Sequence, residues 1–193
     1  LNPETGGLNP LFPSGDFFNY PFGLHFHDDS LWTGNGLRID LPSLKVDTIL
    51  PKIGGEAGDV ITDNNGLLWI GNQYQLFTYD TTQNTLKEFE DSVGKWDSIN
   101  GQISYLYQGS NAIWVGTLAN GLTKLTTQNG SRETFTKKQG QLANDRINGI
   151  YEDKNGFVWV ATGLGLHQIT PDGKDVKNFT TKEGLPNDFI NGL

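Results

Sequence analysis

Only three histidines and a few carboxylate clusters in this chain have residue types suited to chemistry. His25 and His27 stand two apart, so on a strand they share a face, and a His-x-His pair can chelate a metal. Asp28 and Asp29 follow directly. The same residues also read as a strand face entering a turn, and that reading is preferred here. Asp63-Asn64-Asn65-Gly66 and Asp153-Lys154-Asn155-Gly156 look like the first half of a calcium loop. Neither has a Glu at the twelfth position, and both fall where a hairpin turn is required. Glu152 and Asp153 are adjacent, so on a strand they point to opposite faces and cannot act as a glycosidase pair. No nucleophile elbow, phosphate loop or dinucleotide fingerprint occurs. The expectation is therefore no catalytic residue, no metal and no cofactor.

Composition narrows the remaining classes. The chain has 193 residues, 19% charged and 35% hydrophobic, with 25 Gly and 5 Trp. Its net charge of −8 and scattered basic residues argue against nucleic-acid binding, which needs a basic face. No window approaches ~18 uninterrupted apolar residues, so no membrane insertion is expected. The absence of Cys rules out disulfides and Cys-ligated zinc, and it fits an oxidising compartment. With no Met and no leader, the chain reads as a piece of a longer protein.

The elements that must position any site come from internal repetition. Trp69, Trp114 and Trp159 stand 45 residues apart, and Trp32 precedes them. Around Trp159 the pattern is strand (Ile147 to Glu152), Asn-Gly turn, buried strand (Phe157 to Ala161), tight turn, strand (Leu166 to Thr170), turn, and short strand (Val176 to Thr180). His167 is aligned with Arg38, Phe77 and Thr123 of the other copies, a variable position that suits packing better than ligation. Four short strands per ~45 residues predict an all-β fold, a β-propeller of four-stranded blades. The expected organisation is one propeller region over 1–193. A partial repeat spans 1–21, blades span about 22–53, 54–99, 100–144 and 145–183, and the start of another repeat spans 184–193. Both ends then read as parts of a larger propeller. The repeated Trp are expected to pack between blades.

Propeller ligands usually dock where the second-to-third-strand turns and the inter-blade connections converge. There, amides suit sugar hydroxyls and rings suit apolar sugar faces. The expected ligand residues are Asn35, Gln73, Tyr74, Trp96, Asn100, Asn120 and Arg146. Trp96 enters because it lies outside the repeated Trp position.

The run Ile150 to Thr162 followed by Gly165-Leu166, together with Trp114-Val115-Gly116-Thr117 and Gly184-Leu185-Pro186-Asn187-Asp188, resembles the two-component regulator propeller repeat. Copy one departs from the pattern, with Thr33 after Trp32 and His27-Asp28-Asp29 for the acidic pair. The resemblance spans nearly the whole chain apart from an irregular insert, Phe12 to Tyr20. It implies the periplasmic, extracytoplasmic sensor region of an inner-membrane hybrid histidine kinase, which responds to an oligosaccharide or other nutrient. Any kinase activity would lie elsewhere in the parent chain. The alternatives are a streptogramin-lyase-like enzyme, or a scaffold that binds protein or its own copies, including as a homodimer.

Overall fold

The structure, a computed structural model, describes residues 23–34, 36–48, 57–73, 75–91, 94–96, 101–127 and 130–193. The first sheet contains β1 (Leu24–His27), β2 (Ser30–Thr33), β3 (Leu37–Asp40) and β4 (Val46–Thr48). The second contains β5 (Ala57–Thr62), β6 (Leu68–Asn72), β7 (Leu76–Asp80) and β8 (Thr85–Glu88), followed by a two-stranded hairpin, β9 (Glu90–Asp91) and β10 (Gly94–Lys95). The third contains β11 (Ile103–Gln108), β12 (Ile113–Thr117), β13 (Leu122–Thr126) and β14 (Ser131–Phe135). The fourth contains β15 (Ile147–Glu152), β16 (Val158–Thr162), β17 (Gly165–Ile169) and β18 (Val176–Phe179). Each four-stranded sheet pairs its strands antiparallel in sequence order, as a propeller blade does. The expected fold class is the observed one. The expected partial repeat 1–21, including the Phe12 to Tyr20 insert, lies outside the described residues.

Three hydrophobic clusters fill the spaces between successive blades. Trp32 packs with Val60, Leu68, Ile70 and Phe77 of the second blade. Trp69 packs with Ile103, Leu106, Ile113 and Val115 of the third. Trp114 packs with Ile147, Ile150, Val158 and Val160 of the fourth. Each second strand is apolar on both faces because it is covered from both sides; every residue of β6 and β12 is buried. In the second and third blades a glycine after the aliphatic-Trp-aliphatic run serves this contact. A Cβ on Gly71 would lie 2.7 Å from Ile103 Cγ2, and one on Gly116 would lie 2.6 Å from Ile147 Cγ2. The next blade's first isoleucine presses onto a surface that only glycine keeps flat.

The Asp-x-Asn-Gly turns have a structural use for their carboxylates. Asp63 Oδ1 accepts from the backbone N–H of Asn65 and Leu67, and its Oδ2 accepts from Trp69 Nε1 at 3.0 Å. Asp153 repeats this with Asn155, Phe157 and Trp159 Nε1, the last at 3.1 Å. Gly156 takes the left-handed backbone, at φ 81°. The turn therefore orders the hairpin and satisfies the indole donor of its own blade. In the third blade Gly109 stands where the Asp would be. There Glu152 of the next blade reaches across to Ser110, accepting from its N–H at 2.9 Å and from its hydroxyl. A Cβ on Gly109 would collide with Glu152 Oε2 at 2.4 Å.

The innermost strands β5, β11 and β15 each carry a register shift, between Ala57 and Val60, Ile103 and Tyr105, and Ile147 and Gly149. The extra residue puts Ile103 and Leu106 in one cluster, and Ile147 and Ile150 in another, although they stand three apart. The bulged residue then ties its blade to the next chain segment inward. Ser104 Oγ donates to the Ile147 carbonyl at 2.8 Å, and Asn148 Nδ2 donates to the Ile190 carbonyl at 2.7 Å.

Two sequence expectations need correction here. Arg38 pairs across with Trp32, while His167 pairs with Val160, so His167 corresponds to Leu37 and not to Arg38. Thr33 and Gly34 end the first blade's second strand early, which displaced the alignment by one residue. Trp96 is the other. It is 1% exposed, in the same cluster as Trp69 and Ile103, with the Arg132 guanidinium 5.3 Å from its ring centre. The β9–β10 hairpin feeds it inward. It is a packing residue like the other core Trp, and its ring offers no stacking face to a ligand.

Candidate functional site

A groove of about 700 Å³ runs along the inner strands, bounded by β1, β5, β11, the 146–148 connection and residues 189 and 191. Its walls come from the innermost strands, whose alternate residues turn to the preceding and the following inter-blade space: on β11, Ile103 and Leu106 turn to the second blade, and Tyr105 and Tyr107 to the fourth. Tyr105 and Tyr107, two apart on β11, share a face, line the groove and are half-buried, packing in part against the core between the third and fourth blades. His25 meets them from the first blade, its Nε2 2.6 Å from Thr62 Oγ1. Burial, and then the nearby His27, push the His25 pKa down, so its imidazole is the neutral form at neutral pH.

Asp59 sits deepest. Its Oδ1 accepts from Val60 N–H at 2.9 Å and its Oδ2 from Leu106 N–H, one blade over, at 2.8 Å. Burial raises its pKa, and these two donors pull it partly back. The Asp59 carboxylate is thus a clamp between blades. Burial, and then the Asp59 charge, push the Tyr105 phenol up. Arg146 stands at the mouth, exposed, with Nε donating to Asn148 Oδ1 at 3.0 Å. Among the described residues no group of three or more His, Cys, Asp or Glu converges as a metal site. The arrangement can bind: rings, amides and one guanidinium line a concavity suited to a polar ligand with apolar faces.

Of the expected ligand residues, the structure brings Arg146 to this groove. Gln73 and Asn120 lie in second-to-third-strand turns and do not line it. Asn120 donates its backbone N–H to Thr117 Oγ1 at 2.8 Å and lies over Gly101, where a Cβ would come within 2.9 Å of Asn120 Cγ. Asn35, Tyr74 and Asn100 lie outside the described residues. Sequence reasoning looked to the turns and did not single out Tyr105, Tyr107 or His25 as ligand residues, although they line this groove. The available signal was the strand Ile103-Ser104-Tyr105-Leu106-Tyr107, whose tyrosines alternate with core residues once the bulge is allowed for.

The fold and the axial groove define a region of β-propeller blades. Residues 141–163 match the model of the two component regulator propeller family. Among solved structures, the chain is similar to the extracellular domain of BT4673 from B. thetaiotaomicron, assigned to the hybrid two component systems. Identity is 20% with a TM-score of 0.70, over 94% of this chain and 25% of that one. The corresponding extracellular domain of BT3049 from the same organism gives 18% and 0.67, over 88% and 25%. Virginiamycin B lyase from Staphylococcus aureus gives 16% and 0.50, over 89% and 73%. These likenesses show the fold, and the chain spans about a quarter of the two Bacteroides chains. Comparison with curated proteins finds no match. No helix among the described residues is long and apolar enough to cross a membrane.

Proposed function

We propose that this chain is the ligand-sensing propeller region, on the extracytoplasmic side of the membrane, of a hybrid two-component signalling protein, and that its ligand is an oligosaccharide. The observation carrying this is the axial groove, where Tyr105, Tyr107 and the Arg146–Asn148 pair face a common cavity. Tyrosine faces stack on the CH faces of sugar rings, while amide and guanidinium groups bond ring hydroxyls. The regulator-propeller repeat and the similar extracellular domains support the setting, which in this reading is the periplasm. The carboxylate deepest in the groove is held by backbone donors, so no enzymatic role is proposed for it.

Calorimetric titration of the chain with a panel of plant and host oligosaccharides tests the reading. Saturable heat that Tyr105→Ala and Arg146→Ala each weaken supports it. Silence across the panel removes it. Self-association of two copies completes the proposal, and sedimentation would show it as a concentration-dependent dimer.

A further inference from the structure

Asp59 occupies a place that the other blades leave without charge. Leu24, Val60, Leu106 and Ile150 each pair with the residue that follows their own blade's Trp. The residue just before them is Gly23 in the first blade, Asp59 in the second, Tyr105 in the third and Gly149 in the fourth. A joint between blades does not need a carboxylate there, because between the third and fourth blades Ser104 ties to the Ile147 carbonyl instead. Asp59 is half-buried and lines the axial groove. Each of its oxygens takes one backbone N–H, which leaves each a second acceptor site. A Cβ on Gly23 would lie 2.3 Å from Asp59 Oδ1, so the first blade meets the carboxylate as bare backbone. Among the described residues no Lys, Arg or His pairs with Asp59. Of the basic groups in the groove, Arg146 is engaged by Asn148, and the neutral His25 by Thr62. Besides burial, the Asp59 charge raises the Tyr105 phenol, so the carboxylate acts on the surface where a sugar ring would pack.

We infer that Asp59 sets the sugar specificity of the groove, which takes an amino sugar with its protonated amine on the Asp59 carboxylate and its ring packed on Tyr105. This rests on the oligosaccharide reading above and names the class of unit that the site accepts. An ammonium group brings both hydrogen-bond donors and the counter-charge that this carboxylate lacks, and such a charge-assisted bond is about twice as strong as a neutral one. A hydroxyl brings a donor alone. A uronic acid would meet Asp59 with like charge. The chain's net charge of −8 favours the approach of a cation in the same sense.

The test titrates four tetrasaccharides into the chain by calorimetry. Three share one beta-linked glucose backbone and carry a hydroxyl, an acetamide or an ammonium at the second carbon; the fourth is a galacturonate. The ammonium tetramer should bind about 10-fold tighter than the hydroxyl tetramer, and the galacturonate weakest. Asp59→Asn should remove that preference. Glu133→Gln, at an exposed carboxylate outside the groove, should keep it, which separates a contact from attraction to an acidic surface. Should the Asn variant not fold, the wild-type amide resonances of Val60 and Leu106 decide, because their N–H groups rest on Asp59. Both should shift further with the ammonium tetramer than with the hydroxyl tetramer. Equal affinity for those two, a preference for the galacturonate, a preference that survives in Asp59→Asn, or one lost in Glu133→Gln overturns the amino-sugar specificity and leaves the groove reading standing. Binding of none of the four overturns it as well, and silence across the wider panel removes the groove reading with it.

Discussion

In every blade a tryptophan on the second strand faces a different residue on the first. Trp32 pairs across with His25, Trp69 with Ile61, Trp114 with Tyr107 and Trp159 with Tyr151. The Trp is the same in all four blades, while its partner is His, Ile or Tyr. The repeated side is constrained by the neighbouring blade, which fills its space with isoleucine and valine. The inner-strand partner shares the face of its Trp, and Ile61 and Tyr107 pack against the edge of the inter-blade core while also lining the groove. The repeat therefore marks the wall, and the departures from it mark the site.

The sharpest way to break this contrast is at the wall. Trp114→Ala empties the space between the third and fourth blades and should cost about 3–5 kcal/mol, read by denaturant unfolding. The fourth blade offers a second wall position, His167, which is fully buried and accepts the Ala143 N–H at Nε2. Burial lowers its pKa to about 4 from an ordinary 6.5. Between these values the unfolded chain binds the proton and the folded chain does not. Stability should then be full above pH 6.5 and fall as pH drops toward 4, by on the order of 3 kcal/mol. His167→Phe, the residue the second blade carries there as Phe77, should flatten that slope in a pH series of melting curves.

Gly116→Ala drives a methyl into Ile147 and should cost about 1–3 kcal/mol by the same unfolding assay. On the axial side the contrast predicts indifference. Tyr151→Ala, which removes a side chain 52% exposed, should change stability by no more than about 0.5 kcal/mol in the same assay. A loss as large as that of Trp114→Ala would make Tyr151 part of the wall and erase the distinction.

Much of the wall was legible from residues alone. The Trp spacing, the Asn-Gly turns and the two-faced apolar strands are local signals, and strands, turns and sheet order follow them closely. The site was legible only in part. Arg146, reached through its connection, lines the groove, while Gln73 and Asn120 lie in turns away from it. Trp96 was taken for a platform because it broke the repeat. In fact an inserted hairpin carries it into the same core as the repeated Trp.

The sequence by itself determined the blades, because strand period, turn chemistry and repeat length are properties of nearby residues. The side of a strand that faces the axis was decided only by the tertiary structure. A one-residue bulge in β5, β11 and β15 reassigns every side chain that follows it, and that bulge is stabilised by contacts from the next blade. That is how Tyr105 and Tyr107 came to line a groove, and how Asp59 came to spend its carboxylate on a neighbour's backbone.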